Sequence, residues 1–212
     1  VEFVEYTGGA NIHENNLVSG GPAWYQDLFE KWGMKLVSSS PFFGGNQDIQ
    51  LYRQGDINFI VNCVPSTFAN HFAKMHGNSI CSTGFRVEDS QQAFKEALKR
   101  GARPVQPGGH QIFPFPAIYG IGDSIIYFID KNHAHTLYEK IFHINKQDQV
   151  PFGVGFQIVD HFTNNVPVGE MQKWCDFYTK IFNFKETRYF NIKGKQTGLK
   201  SKVMRSPCGK FA

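Results

Sequence analysis

The chain has 212 residues, of which 41% are apolar and 19% are charged. This composition is typical of one or two globular domains and not of a disordered segment. The formal net charge of +4 falls short of the concentrated basic stripe of a nucleic-acid-binding protein. No apolar run approaches the roughly 20 residues of a membrane-spanning helix. We therefore expect neither a nucleic acid nor a membrane as a partner.

The four cysteines are Cys63, Cys81, Cys175 and Cys208, and none of them forms a C-x-x-C pair. This spacing argues against both a zinc knuckle and a disulfide framework. Free thiols in a chain of this length fit a reducing compartment, so we expect a cytoplasmic protein.

The first part of the chain is predicted to fold as strand, helix and hairpin. Residues 1–6 alternate apolar and polar side chains, which predicts a strand. A helix is predicted to start at Pro22 and to end before Gly33. Residues 49–53 and 57–61 then have the pattern of two strands joined by a tight turn.

A related order of elements follows further along the chain. Residues 68–75 are predicted to be helical, and residues 85–87 form a short strand pattern. Asp89, followed three residues later by Gln92, has the spacing of a capping box at the start of the next helix. Residues 125–129 are predicted to form a later strand.

The order of strand, helix and further strands occurs a third time, beginning near residue 153. Residues 156–161 are predicted to form a strand, and the apolar side chains of residues 171–182 share one face of a helix. Residues 187–192 and 198–204 are predicted to be two further strands.

An offset of 149 residues superimposes the helix pattern of residues 28–32 on that of residues 177–181. The sequence therefore predicts an α+β fold of repeated βαβββ units, each too small to bury its sheet face alone. Residues 1–150 are expected to hold two units, and residues 151–212 the start of a third, incomplete one. The polar residues 145–149 are the expected linker. Because the chain starts at Val1 and stops as a strand begins, we expect a fragment of a longer protein.

His161 ends the predicted first strand of the third unit, next to Asp160. An imidazole is a suitable ligand for iron, zinc, copper or nickel. A lone strand histidine is also a common structural residue, so the pattern alone leaves both roles open. His133 and His135 lie in a polar segment that is predicted to be a solvated loop, and the scattered carboxylates define no acid–base pair.

Several strings carry a family resemblance. In the third unit they are residues 158–166 (IVDHFTNNV), 177–184 (FYTKIFNF) and 197–204 (TGLKSKVM), and upstream they include residues 51–58 (LYRQGDIN) and 120–124 (GIGDS). Together they resemble the bacterial branch of the 4-hydroxyphenylpyruvate dioxygenase family over essentially the whole chain.

The resemblance implies the vicinal oxygen chelate fold, which glyoxalases and bleomycin resistance proteins share. It also implies an Fe(II) enzyme of tyrosine catabolism that converts 4-hydroxyphenylpyruvate and O₂ to homogentisate and CO₂. His161 matches the first of two histidine ligands, and the second histidine and a glutamate are expected beyond residue 212. Ser201 matches a serine of the substrate pocket. The family commonly forms homo-oligomers, so a tetramer or dimer is expected.

The resemblance also assigns residues 1–150 to a domain without catalytic residues, with Glu5 roughly where His161 falls in the third unit. Asn164 stands where the family usually has histidine, and residues 167–168 replace an aromatic and basic pair. Neither position is a metal ligand, so we expect tuning of the site and not its loss.

Two alternatives stay open. One is 4-hydroxymandelate synthase, which resembles the same family and uses the same substrate and metal. The other is a non-catalytic protein of the same fold that binds a small ligand. Under the leading hypothesis, residues 1–212 alone are expected to be inactive, because most of the metal site would be missing.

Overall fold

The computed structural model describes residues 3–7, 22–41, 48–62, 64, 67–106, 113–132, 134–144 and 153–212. Two compact units divide the chain. The first comprises Val1–Phe94 and Pro104–Ile158, and the second comprises Lys95–Arg103 and Val159–Ala212. Among the helices within these ranges, none has the length and apolarity needed to cross a membrane.

The described residues of the first unit form seven strands and four α-helices, and the third of these helices extends into the second unit. In chain order they are β1 (Phe3–Thr7), α1 (Pro22–Lys31), β2 (Lys35–Pro41), β3 (Asp48–Gln54), β4 (Ile57–Asn62), α2 (Phe68–His76), β5 (Ile80–Val87), α3 (Ser90–Lys99), β6 (Ala117–Tyr119), β7 (Ile125–Asp130) and α4 (Ala134–Ile141).

The seven strands form one sheet with the order β2-β3-β4-β1-β5-β7-β6. β1 is parallel to β4 and β5 is parallel to β7, while β1 and β5 run antiparallel at the centre. A bridge from Pro104 to Ile118 extends the β6 side. The order β5-β7-β6-Pro104 therefore repeats the order β1-β4-β3-β2, which is the arrangement of two βαβββ units. The predicted α+β class and repeat are confirmed.

Aromatic side chains pack one face of this sheet. The ring of Phe29 from α1 lies 5.3 Å from Tyr6, 5.2 Å from Tyr52 and 5.1 Å from Phe59. The stripe that predicted α1 is therefore its buried face. A second apolar cluster includes Phe113, which is fully buried like most of its neighbours.

The second unit contains α5 (Met171–Phe182), β8 (Lys185–Lys193) and β9 (Gly198–Arg205), and the two strands form an antiparallel hairpin. The register of β2 and β3 shifts between Leu36 and Ser38, and that of β8 and β9 shifts between Glu186 and Arg188. A bulge at corresponding positions indicates that the third occurrence repeats the first down to an irregularity of the backbone.

Two predictions of local structure are wrong. No strand forms over residues 156–161, because that backbone makes only sparse pairing: Phe162 N bonds to Ala212 O and Ala212 N to Asp160 O. Alternation predicts which faces are apolar, but a strand also needs a partner. The polar segment with His135 is not a loop, since α4 begins at Ala134 and packs Tyr138 against the core.

The sequence did not predict β2, because residues 35–41 lack clear alternation of apolar and polar side chains. The expected linker at residues 145–149, like His133, lies outside the described residues.

Candidate functional site

His161 lies in the extended segment before α5 and is exposed to solvent. Its Nδ1 is 2.8 Å from Oδ2 of Asp160. With the ring proton on Nδ1 and donated to that carboxylate, the lone pair on Nε2 is left for a metal ion. A carboxylate on the other ring nitrogen is the usual way in which proteins orient a histidine ligand.

Although no strand is formed at His161, the two backbone hydrogen bonds around it follow the pattern by which β1, the first strand of its βαβββ unit, pairs with β4. Phe162 N donates to Ala212 O at 3.2 Å, and Ala212 N lies 3.5 Å from Asp160 O. This is the parallel pattern that places His161 beside Ala212, as Glu5 is placed beside Ile60 in β1 and β4. Since the two pairings occupy equivalent strands, His161 and Glu5 hold equivalent positions in their units.

Glu5 is 2% exposed and has its carboxylate closed off by neighbours. Asn62 Nδ2 donates to Oε1 at 2.9 Å, and the Ser82 hydroxyl donates to Oε2. Burial raises the pKa of Glu5, and the hydrogen bonds from Ser82 and Asn62 partly oppose that increase. Each carboxylate oxygen thus already has a protein partner.

Ser201 is half-buried on β9, opposite Phe190 of β8. Its neighbour Lys202 bonds to Gln172 of α5 at 2.8 Å. Because successive strand residues point to opposite faces, Ser201 lies on the face that is directed away from α5. By the same alternation, and through the cross-strand pairs, that face also carries Ile192 and Leu199, both of which are exposed.

The described residues do not assemble a complete metal site. No group of three or more His, Cys, Asp and Glu side chains comes together within them. Among the described residues, no hydrogen bond joins the side chains of His161 and Ser201. An imidazole whose Nε2 is left free can act as a metal ligand, but among the described residues no cluster of three potential ligands forms around it.

Two features, one in each unit, were not found from the sequence. The first is the pair of hydrogen bonds to the Glu5 carboxylate, which Asn62 and Ser82 donate from 57 and 77 residues away in the chain. An apolar strand pattern interrupted by Glu, Asn and Ser at inward positions was the available signal. The contact between His161 and Asp160 could have been proposed directly from their adjacency.

Two family models match the chain. The hydroxyphenylpyruvate dioxygenase N-terminal model covers residues 1–145, and the glyoxalase/bleomycin resistance protein/dioxygenase superfamily model covers residues 158–211. The repeated βαβββ architecture is thus that of the glyoxalase and dioxygenase superfamily. Within it, the chain belongs to the hydroxyphenylpyruvate dioxygenase family, as the strings in its sequence predicted.

Curated relatives align with nearly all of the chain. Hemolysin VllY of Vibrio vulnificus is 41% identical over 99% of the chain and 57% of its own length. A 4-hydroxyphenylpyruvate dioxygenase of a Pseudomonas species is 43% identical over 91% of the chain and 54% of its length. One from Legionella pneumophila is 46% identical over 86% and 51%. The chain spans about half the length of these relatives.

Solved structures share the fold. A fusion protein of a xylose isomerase-like TIM barrel and 4-hydroxyphenylpyruvate dioxygenase superimposes with a TM-score of 0.79 and 26% identity, over 100% of this chain and 30% of the other. A mutant 4-hydroxymandelate synthase from Streptomyces coelicolor gives a TM-score of 0.70 at 16% identity, over 100% of this chain and 60% of that one. The second likeness supports the fold alone.

Proposed function

We propose that this chain is part of an Fe(II)-dependent dioxygenase that converts 4-hydroxyphenylpyruvate and O₂ to homogentisate and CO₂ in tyrosine catabolism. Relatives named 4-hydroxyphenylpyruvate dioxygenase that are 43% and 46% identical support this assignment. The single structural observation that supports it is the pairing of His161 with Ala212, which corresponds to the pairing of Glu5 with Ile60 between the first and last strands of the first βαβββ unit.

His161 is the first metal ligand in this proposal. Its Nε2 would hold the iron, and Asp160 keeps the proton on Nδ1 and fixes the ring. A second histidine and a glutamate, from sequence after residue 212, would complete the set. When bound, Fe(II) would supply the redox chemistry by which an α-keto acid is oxidised with O₂.

Ser201 is the proposed substrate-binding residue of this chain. Its hydroxyl can donate to or accept a hydrogen bond from a polar group of the substrate. Apolar neighbours on the same strand face, such as Phe190, would contact the aromatic ring and exclude water from it. The protein would thus orient the ring while the cofactor supplies the oxidation.

Residues 1–150 are proposed to be a non-catalytic domain, and the catalytic domain to begin at about residue 151. The oxygens of Glu5, at the position equivalent to His161, are taken up by Asn62 and Ser82. That arrangement supports a structural role for the first unit. We further propose a cytoplasmic homo-oligomer, either a dimer or a tetramer, with no nucleic-acid or membrane partner.

The test uses the complete protein that contains this chain, loaded with Fe(II). Substrate-dependent O₂ uptake with homogentisate as product is expected. His161→Ala should abolish turnover and lower the iron content, whereas His71→Ala, at an exposed position of α2, should change neither. Formation of 4-hydroxymandelate would favour the synthase. Ligand binding that persists without turnover or iron, in the wild type and in His161→Ala, would favour a non-catalytic protein.

A further inference from the structure

Gln54, the last residue of β3, joins two segments that are far apart in sequence. Its side chain is fully buried. The amide Nε2 donates to the carbonyl oxygen of Trp32 at 2.8 Å. The amide Oε1 accepts hydrogen bonds from the backbone N–H groups of Gly155, at 2.9 Å, and Phe156, at 3.0 Å. One side chain therefore ties the end of α1 to the chain that leads into residues 157–161.

Three glycines allow the backbone to come this close. A Cβ on Gly33 would lie 2.8 Å from the backbone N of Val154, and a Cβ on Gly55 would lie 2.9 Å from the carbonyl oxygen of Phe156. A Cβ on Gly153 would overlap Cδ of Gln54 and the carbonyl oxygen of Gly33. All three have positive φ angles, a conformation that favours glycine. We call this set, residues 32–33, 54–55 and 153–156, the Gln54 joint.

We propose that Gln54 is a positioning residue that anchors the chain immediately ahead of His161. The inference rests on the proposed function, in which His161 is an iron ligand. Phe156 precedes His161 by five residues, and an extended chain of that length spans at most about 17 Å. Gln54 thus holds the start of the segment that leads to His161, and Ala212 bonds to the residues on either side of His161 at its end, so both ends of this short segment are restrained.

Restricting the motion of the segment that carries His161 favours metal binding for an entropic reason. A ligand that is already held near its place loses less freedom when it binds the ion, so its effective concentration at the site is higher. The segment itself makes little regular structure, since no strand forms over residues 153–170. The Gln54 bonds are thus the main directional contacts that hold residues 155–156 in place among those described.

Variants of Gln54 can separate the effect of its hydrogen bonds from the effect of its packing. Gln54→Met retains the length of the side chain but removes both the acceptor and the donor. Gln54→Glu retains an oxygen that can accept from Gly155 and Phe156. If the carboxyl is protonated, it can also donate to Trp32. Gln26→Met, on the exposed face of α1, is the matched control.

The first experiment is hydrogen exchange of the backbone amides in the 212-residue chain. In wild type, Gly155 and Phe156 are expected to be protected. Gln54→Met should speed their exchange by about tenfold or more, while Gln54→Glu restores most of the protection and Gln26→Met leaves it unchanged. Equal protection in wild type and Gln54→Met would contradict the proposal that Gln54 anchors Gly155 and Phe156. Should Gln54→Met fail to fold, protection retained in Gln54→Glu and absent in Gly55→Ala supports it, and any other pattern overturns it.

The second experiment measures Fe(II) release to a chelator from the complete protein. Gln54→Met should release iron several-fold faster, and its kcat at saturating iron should stay near that of wild type. A role in folding alone would instead lower the amount of folded protein and leave the release rate unchanged, and that result would overturn the positioning role. If the wild type does not turn over 4-hydroxyphenylpyruvate, the proposed function fails, whereas the exchange result still decides the joint.

Discussion

At the scale of single residues, Glu5 and His161 show how equivalent positions of the fold can have different surroundings: Glu5 is buried and His161 is exposed. It is equivalent to His161, but Ser82 and Asn62 bind its two oxygens inside the first unit. Cys81 and Tyr127 are the nearby groups that can titrate, and burial raises the pKa of each of them as well. A carboxyl in such surroundings is favoured in its neutral form, because burial penalises its charge.

The stability of the first unit is therefore expected to depend on pH through Glu5. Its pKa in the folded chain is raised above the ordinary value of 4.5, so the folded state binds the proton more tightly than the unfolded chain. This contribution is complete below the ordinary value and is lost as pH rises through the raised one. The slope is at most about 1.4 kcal/mol per pH unit.

Glu5→Gln mimics the neutral carboxyl and should remove this dependence. Its free energy of unfolding, measured by urea titration, is expected to rise relative to wild type as pH increases above the ordinary value. Glu30→Gln, at an exposed carboxylate of α1, is the control for loss of a charge. A difference between wild type and Glu5→Gln that is the same at every pH would contradict the argument.

At the scale of elements, α5 ends at a defined contact within the second unit. Asn183 adopts a left-handed conformation with φ of 58° just after the helix. The guanidinium of Arg100 donates from Nη1 to the carbonyl oxygen of Ile181, at 3.3 Å, and to Oδ1 of Asn183, at 2.9 Å. A cation beside the last carbonyl groups of a helix stabilises it by satisfying those acceptors and by interacting with the helix dipole.

Arg100→Met keeps the aliphatic stem and removes these bonds. We expect the free energy of unfolding to fall by about 1 kcal/mol, since the guanidinium is only partly screened by water. Circular dichroism during urea denaturation measures the change. Lys99→Met, at a neighbouring exposed position of α3, is the control. An equal loss in both variants would mean that Arg100 contributes only general charge or surface effects.

The accuracy of the element predictions follows from where each signal originates. The helices α1 and α5 were predicted because their large apolar side chains recur at helical spacing within one segment. The strand at residues 156–161 was predicted from alternation, but a strand depends on backbone partners elsewhere in the chain. Among the described residues, Ala212 alone makes backbone hydrogen bonds to this segment and to Phe162 after it. A tight turn was predicted over residues 54–56, but the structure has it at Gly55 and Asp56, and Gln54 is the last residue of β3. Nothing near Gln54 in the sequence indicated that it binds Gly155 and Phe156.

At the scale of the whole molecule, the chain belongs to the hydroxyphenylpyruvate dioxygenase family, but its described residues hold no cluster of three potential metal ligands. The strings around His161 and Ser201 predicted the family, because they combine residue types that periodicity alone does not require. The geometry of a metal centre could not be predicted from them, since it depends on ligands from several strands. Among the described residues, His161 is not part of any group of three or more His, Cys, Asp or Glu side chains that could hold a metal ion.

The chain of residues 1–212 alone is therefore expected to hold Fe(II) poorly and to show no substrate-dependent O₂ uptake. One imidazole competes weakly with water for Fe(II), so after anaerobic loading and desalting we expect less than about one-tenth of an iron per chain. Iron content is measured colorimetrically, with His161→Ala giving the background. Retention of one iron per chain that disappears in His161→Ala would show that the remaining ligands lie within these 212 residues. It would overturn their assignment to later sequence.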